Sequence, residues 1–500
     1  MTIEYPEAGP AGHPDELRPG GWNGRLVGMM AIFILLAEVG VIVMIFPINA
    51  LSQMAAEFKT DQLAWVQTAP LLISAMLSPI IGKLADQFGK KRVLLITFAI
   101  SVVGMLISAF APNFAMLLVG RFLQGLCLAF VYIVPSLIRD VFPTKTIPLA
   151  VSLSLSGSGL LTVGSALFIG PIIEHLGFRA TFWIPALIGA VTLVLIMLVV
   201  PESEVRAERT PIDWVGAVLL GGGMFAVLAA VSFGGTWGWG SPGVLGAFAA
   251  GAILIIVWVL QALRARFPLI DLRSIVTLPI MLTMLYLWLN TTGWVAVLIP
   301  VLAGHVPTDG WGLGLTPTQQ GILVALNSFA GTIAGWTVGI VLRRMSAAPV
   351  MIGLGLMATA GFVLAFLGLS SIVLFVIAIF LLGASSIAML AASLNLIIRL
   401  VPVQRQAVTS AVVTLVSSMA AAVSPVILFA VMNGLGTPDP STGVPAYTHA
   451  SLSAVTLIPA VISASAVLCA VALQRTLRGR DFVVAAPHPS AAPRTADRPV

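Results

Sequence analysis

The chain has 500 residues, 59% of them hydrophobic and only 9% charged, whereas about a quarter of the residues in soluble domains are charged. That balance excludes a soluble globular protein and fits membrane spans of about 20 apolar residues each. The net charge of +6 does not point to nucleic acid, because the basic residues are scattered through short segments between apolar runs, as the orientation rule for membrane proteins requires.

The first 22 residues are polar, rich in Pro and Gly, and lack a basic n-region, so they read as a retained N-terminal tail rather than a cleaved signal. Apolar runs then begin near Leu26, Ala64, Val93, Phe114, Ile147, Ala180, Trp214, Val244, Ser274, Thr318, Val350, Ile372, Ala407 and Leu452. They predict an all-α integral membrane protein of about fourteen spans. The division is a tail over 1–22, a six-helix bundle over 23–202, two extra helices over 203–270, a second six-helix bundle over 271–480, and a disordered tail over 481–500. With the N-terminus inside, only Lys59 and Arg179 of the 25 Lys and Arg fall in outer loops. Both termini are therefore expected to be cytoplasmic, in the cell (inner) membrane.

"LLAEVGVIVMIFP", residues 35–47, places one carboxylate, Glu38, within an apolar run. Glu38 lies 13 residues after Arg25, about 20 Å along a helix. The loop after the second span reads Gly82-Lys83-Leu84-Ala85-Asp86-Gln87-Phe88-Gly89-Lys90-Lys91-Arg92. Gly82 suits close helix approach, Gly89 a tight turn, and Asp86 an acceptor of backbone N–H groups at a helix end. The fourth span holds "GRFLQG", in which Arg121 is costly in lipid and should face the bundle interior with a partner. Gln124 shares its face, and "RDVFP" from Arg139 closes the span. By depth alone, Glu38 and Arg121 match closely enough for an ion pair or a water-bridged pair.

The outer loop "GGTWGWGSPG" carries Trp237 and Trp239, which read as interface anchors. In the second half the polar residues within apolar runs are Asn290, Thr291, Asn327 and Asn395. They are candidates for the substrate cavity, with interhelical hydrogen bonds as the competing reading. A glycine followed by basic residues recurs after the tenth span, "GIVLRRMSAAPVMI" from Gly339 echoing "GKLADQFGKKRVLL" from Gly82, the kind of repeat expected of carriers with two related halves.

The 82–92 segment resembles the G-x-x-x-D-R-x-G-R/K-R/K loop of the major facilitator superfamily, with Gln87 in place of the arginine. "GRFLQG" resembles its R-x-x-Q-G signature, and "AEVGVIVMIFP" resembles the first-span motif L-D-x-T-I-V-N-V-A-L-P of the fourteen-span drug:proton antiporters. There Glu38 takes the acidic position and Pro47 the proline, while Gly40 and Val43 replace the polar residues. The antiporter glycine motif of the fifth span is degenerate: Ser165-Ala166 stand where Gly-Pro is expected, and Gly170-Pro171 are displaced. The resemblance implies two six-helix bundles flanking two central helices, proton coupling through Glu38 and Arg121, and a cytoplasmic latch between the halves at Gly82, Asp86, Gly89, Lys90, Lys91, Arg92, Arg139 and Asp140. The implied function is a monomeric exporter, surrounded by membrane lipids, that exchanges small lipophilic substrates for protons. A symporter or facilitator for a metabolite or lipid stands as the alternative. No Walker sequence occurs and no nucleic-acid, metal or cofactor role is expected. An enzyme is disfavoured by the lack of His-Glu-x-x-His, Gly-x-Ser-x-Gly and paired intramembrane acids.

Overall fold

The computed structural model describes residues 23–143, 146–147, 150, 153–154, 158–203, 211–265, 268, 277–290, 313–342, 344–400, 403–438 and 445–477. The helices are α1 (Gly24–Ile48), α2 (Leu51–Phe58), α3 (Ala64–Phe88), α4 (Lys90–Ala109), α5 (Phe114–Gln124), α6 (Phe130–Val141), α7 (Ser158–Leu176) and α8 (Ala180–Val199). They continue as α9 (Trp214–Trp237), α10 (Pro242–Arg264), α11 (Leu278–Asn290), α12 (Pro317–Val341), α13 (Ala347–Leu367), α14 (Ile372–Leu400), α15 (Val403–Leu435) and α16 (His449–Leu477). A 3₁₀ turn, Gly125–Ala129, joins α5 to α6, and a two-residue antiparallel bridge pairs Thr437–Pro438 with Pro445–Ala446. The predicted start at Ser274 and both predicted tails lie outside the described residues.

Local chemistry sets the helix ends. Asn23, Asn113, Asp213 and Ser241 each cap an N-terminus by accepting a backbone N–H. Thr316 and Gln319 form a reciprocal capping box before Pro317; these side chains satisfy donors that the first helical turn leaves without partners. Gly89 alone separates α3 from α4, at φ 118°, a conformation that a side chain resists. The axis of α3 bends by 50° between Leu77 and Ile80, where the sequence has Pro79 and the ladder loses a donor.

Among the described residues ten helices are long and apolar enough to cross a membrane, eleven with the bent α3, and the stretches Leu161–Leu176, Leu278–Asn290 and Met419–Leu435 are shorter apolar helices. Large apolar side chains on their outer faces, such as Leu198, Phe168, Val218 and Ile256, are exposed, as a lipid-facing surface requires. The interior holds apolar clusters, one built mainly on α1, α4, α6 and α8 and another on α13, α14 and α16.

The first half (α1–α8) meets the second (α11–α16) along two seams, α7 against α12 and α3 against α15. The extra pair α9–α10 lies beside one of them, since α9 packs on both α3 and α15. Trp65 of α3 donates to Ser232 of α9 at 3.0 Å, and Gly221 of α9 packs on Met76. Lys83, Lys90, Lys91, Arg92 and Arg264 mark one end of the bundle, here termed the basic end. The seams are tightest at the opposite end. Thr68 donates to the Ala422 carbonyl at 3.0 Å, Asn433 to the Asp61 carbonyl at 3.2 Å, and the Thr318 N–H to Glu174 at 3.0 Å. Tyr447 sits over the same end, where burial first and the Asp61 carboxylate second push its phenol above the usual range and keep it neutral. Toward the basic end, Gly82 and Gly339 have open space where a side chain would begin. Among the described residues Gly82 therefore makes no close helix approach.

Candidate functional site

Glu38 is 6% exposed, in the middle of α1. Its two carboxylate oxygens accept from hydroxyls of α7, Oε2 from Thr162 at 3.0 Å and Oε1 from Ser165 at 2.8 Å. The two donors are three residues apart and therefore share a helix face. Polar groups absent from the neighbourhood of Glu38 in its own helix are supplied across the helix interface. Ser165 also lies within reach of the Thr162 carbonyl, at 3.0 Å, so its single proton can turn either way. A hydroxyl donates to a carboxylate and accepts from a carboxylic acid; the pair can solvate Glu38 in both protonation states.

Arg121 is fully buried, and its partners are not acids. Nε donates to the Val66 carbonyl at 2.6 Å, and Nη1 to the Val43 carbonyl at 2.8 Å and to Gln124 Oε1 at 2.6 Å. The reason lies four residues further on in each case. In an α-helix the carbonyl of residue i accepts from the N–H of residue i+4, but residues 47 and 70 are prolines and have no N–H to give. Val43 and Val66 are thereby left with unbonded carbonyls in α1 and α3, and one guanidinium satisfies both. Gln124 completes the arrangement, its amide donating to the Gly104 carbonyl at 3.1 Å and to Ser108 at 2.9 Å. Gly125 fits directly against the Pro70 carbonyl.

Glu38 and Arg121 therefore do not pair in this structure, and among the described residues Glu38 forms no ion pair. Depth along the helices matches less well than rotation separates them. Val43, which holds Arg121, is five residues from Glu38, about 7.5 Å along α1 and about 140° round it. Glu38 faces α7 while Arg121 lies between α1 and α3.

The basic loop forms a cluster within the first half. Lys90, 4% exposed, pairs with Asp140 at 2.5 Å and with Asp86 at 3.6 Å, and Ser203 also donates to Asp140. Lys90 thus meets the acid that closes α6. The acceptor at the α4 N-terminus is not Asp86, whose side chain is 49% exposed, but Glu202, which takes the N–H groups of Lys91 and Arg92 at 2.9 and 3.0 Å. A carboxylate is favoured at that helix end by the free N–H groups and the dipole. Lys91 in turn donates to the Met197 carbonyl at 2.8 Å, near the end of α8. Arg139 is exposed and stands outside these bonds. Among the described residues these bonds fasten α3, α4, α6 and α8 to one another.

In the second half Asn327 donates to the Ile379 carbonyl at 3.2 Å, an interhelical bond to α14. Asn395 is exposed and bonds the Ala391 carbonyl of its own helix at 2.9 Å. Asn290 bonds the Tyr286 carbonyl at 3.1 Å, and its Oδ1 has no partner among the described residues. Thr291 lies outside the described residues. Of the three described residues, Asn290 keeps a buried polar atom for another molecule.

The sequence marks Ser165 only as a departure from the antiporter glycine motif and gives no role to Thr162 or Glu202. A pair of hydroxyl residues three apart in "LLTVGSALF" was the available signal for the first two; Glu202, after a proline beyond α8, has no local pattern that names its target.

The contact of α7 with α12 has one strict requirement. A Cβ on Gly170 would collide with the backbone of Pro317 and Thr318, and one on Gly321 would lie 2.6 Å from the Ala166 carbonyl. Gly170→Ala is expected to weaken closure at this end by about 1–3 kcal/mol, the usual cost of overpacking. With Cys127 and Cys469 replaced by alanine, a cysteine at buried Ala325 should then react faster with an impermeant maleimide applied from that side; an unchanged rate would place the closing contact elsewhere.

A buried carboxylate held by hydroxyls between two helices, inside an all-helical bundle whose described helices include ten long and apolar enough to cross a membrane, marks a multi-pass membrane protein. The model of the Major Facilitator Superfamily matches residues 29–425, and the chain belongs to that superfamily. It is similar to the tetracenomycin C resistance and export protein of Streptomyces glaucescens, 31% identical over 225 residues that cover 43% of this chain and 40% of that protein. It is also similar to the uridine/deoxyuridine transporter of Lactococcus lactis subsp. cremoris, 30% identical over 342 residues that cover 64% of this chain and 68% of that one. The chain spans 40% to 58% of the length of the first curated relatives it matches. Among solved structures, the POT family transporter PepTSo has the same fold at a TM-score of 0.63 and 15% identity, covering 92% of this chain and 98% of that one.

Proposed function

We propose that the protein exports lipophilic compounds in exchange for protons by alternating access, with Glu38 as the proton-carrying group. The observation that carries this reading is the pairing of Glu38 with Thr162 and Ser165 of α7, the helix that also closes against α12 at Gly170. Ser165 and Gly170 are five residues apart, about 7.5 Å along the same helix. A proton on Glu38 changes which way the hydroxyls point and the charge beside α7, and so biases the closing contact. A lipophilic, neutral or cationic substrate suits an interior with a single acid. The names of the export proteins among its relatives support the direction.

In this reading the basic end is cytoplasmic, both termini are inside, and the protein works as a monomer in the cell membrane. The ten long helices, the bent α3 and the three shorter apolar helices support fourteen spans, with α9–α10 as the central pair. Uptake of a lipophilic cationic dye into inverted membrane vesicles, with and without an imposed pH gradient, tests it: gradient-dependent accumulation is expected, and equal uptake in both conditions would refute proton exchange. The uridine/deoxyuridine transporter among the relatives favours a second reading, symport or facilitated movement of a metabolite. Gradient-independent or inwardly directed uridine transport would decide for it.

A further inference from the structure

Gln67 of α3 is 3% exposed, and among the described residues neither its amide nitrogen nor its amide oxygen has a hydrogen-bond partner. Buried amides are nearly always bonded, so the side chain stands apart from Gln124, whose amide has all its bonds within the first half.

Its neighbours fix where it lies. Round the helix, Pro70, Gln67, Thr68 and Trp65 follow one another at intervals of about 60°, 100° and 60°. Pro70 packs on Gly125 of the first half, Thr68 bonds the Ala422 carbonyl of α15 in the second half, and Trp65 bonds Ser232 of α9 on the outer side. Gln67 therefore occupies the arc of α3 that looks inward between the two halves. One turn further along the same arc, Leu71 shares an apolar cluster with Val39 and Val43 of α1 and with Ala421 and Ala422 of α15. The cluster's side chains are apolar, and the buried polar groups beside it are the Gln67 amide and the Arg121 guanidinium, which bonds the Val43 and Val66 carbonyls and keeps Nη2 without a partner among the described residues.

We propose that Gln67 is a substrate-recognition residue that selects compounds carrying a cis-amide edge, an N–H beside a C=O, as in lactams, cyclic imides and pyrimidinediones. A carboxamide presents a donor and an acceptor side by side, and a cis-amide edge returns both bonds at once. The apolar walls take the rest of a lipophilic molecule, and the pairing sets its orientation. The inference rests on the carrier reading, and it adds a ligand class that the buried acid does not specify.

The test is a binding comparison that needs no transport. Purified full-length protein in nanodiscs is titrated with the cyclic imide glutethimide and with its N-methyl derivative, which has lost the N–H, and thermal stabilisation is read for each. The wild type is expected to prefer the imide by at least about tenfold, since a site built to hydrogen-bond rejects the analogue that leaves its groups unpaired. In Gln67→Leu the preference should vanish, with both compounds binding at the level of the N-methyl derivative. Gln67→Met serves the same purpose if the leucine variant does not fold. Equal affinities in the wild type, no binding of either compound, or a preference that survives in the apolar variants would each overturn the proposal. Absence of gradient-driven dye transport in the wild type would count against proton exchange and leave this comparison standing.

Discussion

Glu38→Gln is expected to abolish gradient-driven accumulation while leaving the protein folded. An imposed difference of about two pH units is worth about 2.7 kcal/mol per proton, or about a hundredfold in accumulation, and the variant should fall to the ratio seen without a gradient. The amide keeps the geometry. Its oxygen accepts from one of Thr162 and Ser165 and its NH₂ donates to the other, because both hydroxyls work in either sense. Folding and substrate binding should therefore persist, and downhill exchange of dye between equal pH compartments should continue. Replacing the hydroxyls themselves, Thr162→Val with Ser165→Ala, should move the pH at which transport is half-maximal without removing coupling. Retention of full gradient-driven transport in Glu38→Gln would make the acid structural.

Arg121→Ala is expected to be the most destabilising single change in the first half. It leaves the Val43 and Val66 carbonyls, already deprived of donors by Pro47 and Pro70, and Gln124 Oε1 without their bonds. Each buried acceptor left unsatisfied costs about 1–3 kcal/mol, a loss that thermal unfolding in detergent would register directly. Arg121→Lys should recover only part, since one ammonium on a flexible stem does not reproduce a rigid fork aimed at two carbonyls. The decisive comparison is a double-mutant cycle with Glu38→Gln. If Arg121 serves the proline-freed carbonyls, the two effects add within about 0.5 kcal/mol; a larger coupling would reinstate the ion pair that depth alone suggested.

That contrast shows what linear spacing conveys. Helix starts follow from runs of apolar residues, and the predicted starts at Ala64, Phe114, Ala180, Trp214 and Ile372 coincide with the helices found. Burial of Glu38 and Arg121 follows from the cost of charge in lipid. The partner of each does not, because a count of residues gives depth, whereas contact depends on rotation about the axis as well. Two signals for Arg121 were nevertheless present in the chain: each proline marks a carbonyl four residues earlier as free, and a buried guanidinium is the strongest donor at hand. Glu202 and the Thr162–Ser165 pair reach their targets across 111, 124 and 127 residues, where no local rule applies.

The measurement that addresses the central claim most directly is infrared difference spectroscopy of the purified protein through a pH titration, wild type beside Glu38→Gln. A carboxylic-acid C=O band that grows as pH falls, shifts when substrate is added and is missing from the glutamine variant is the predicted result. A wild type without such a band, or one whose band persists unchanged in Glu38→Gln, would contradict the assignment of the transported proton to Glu38.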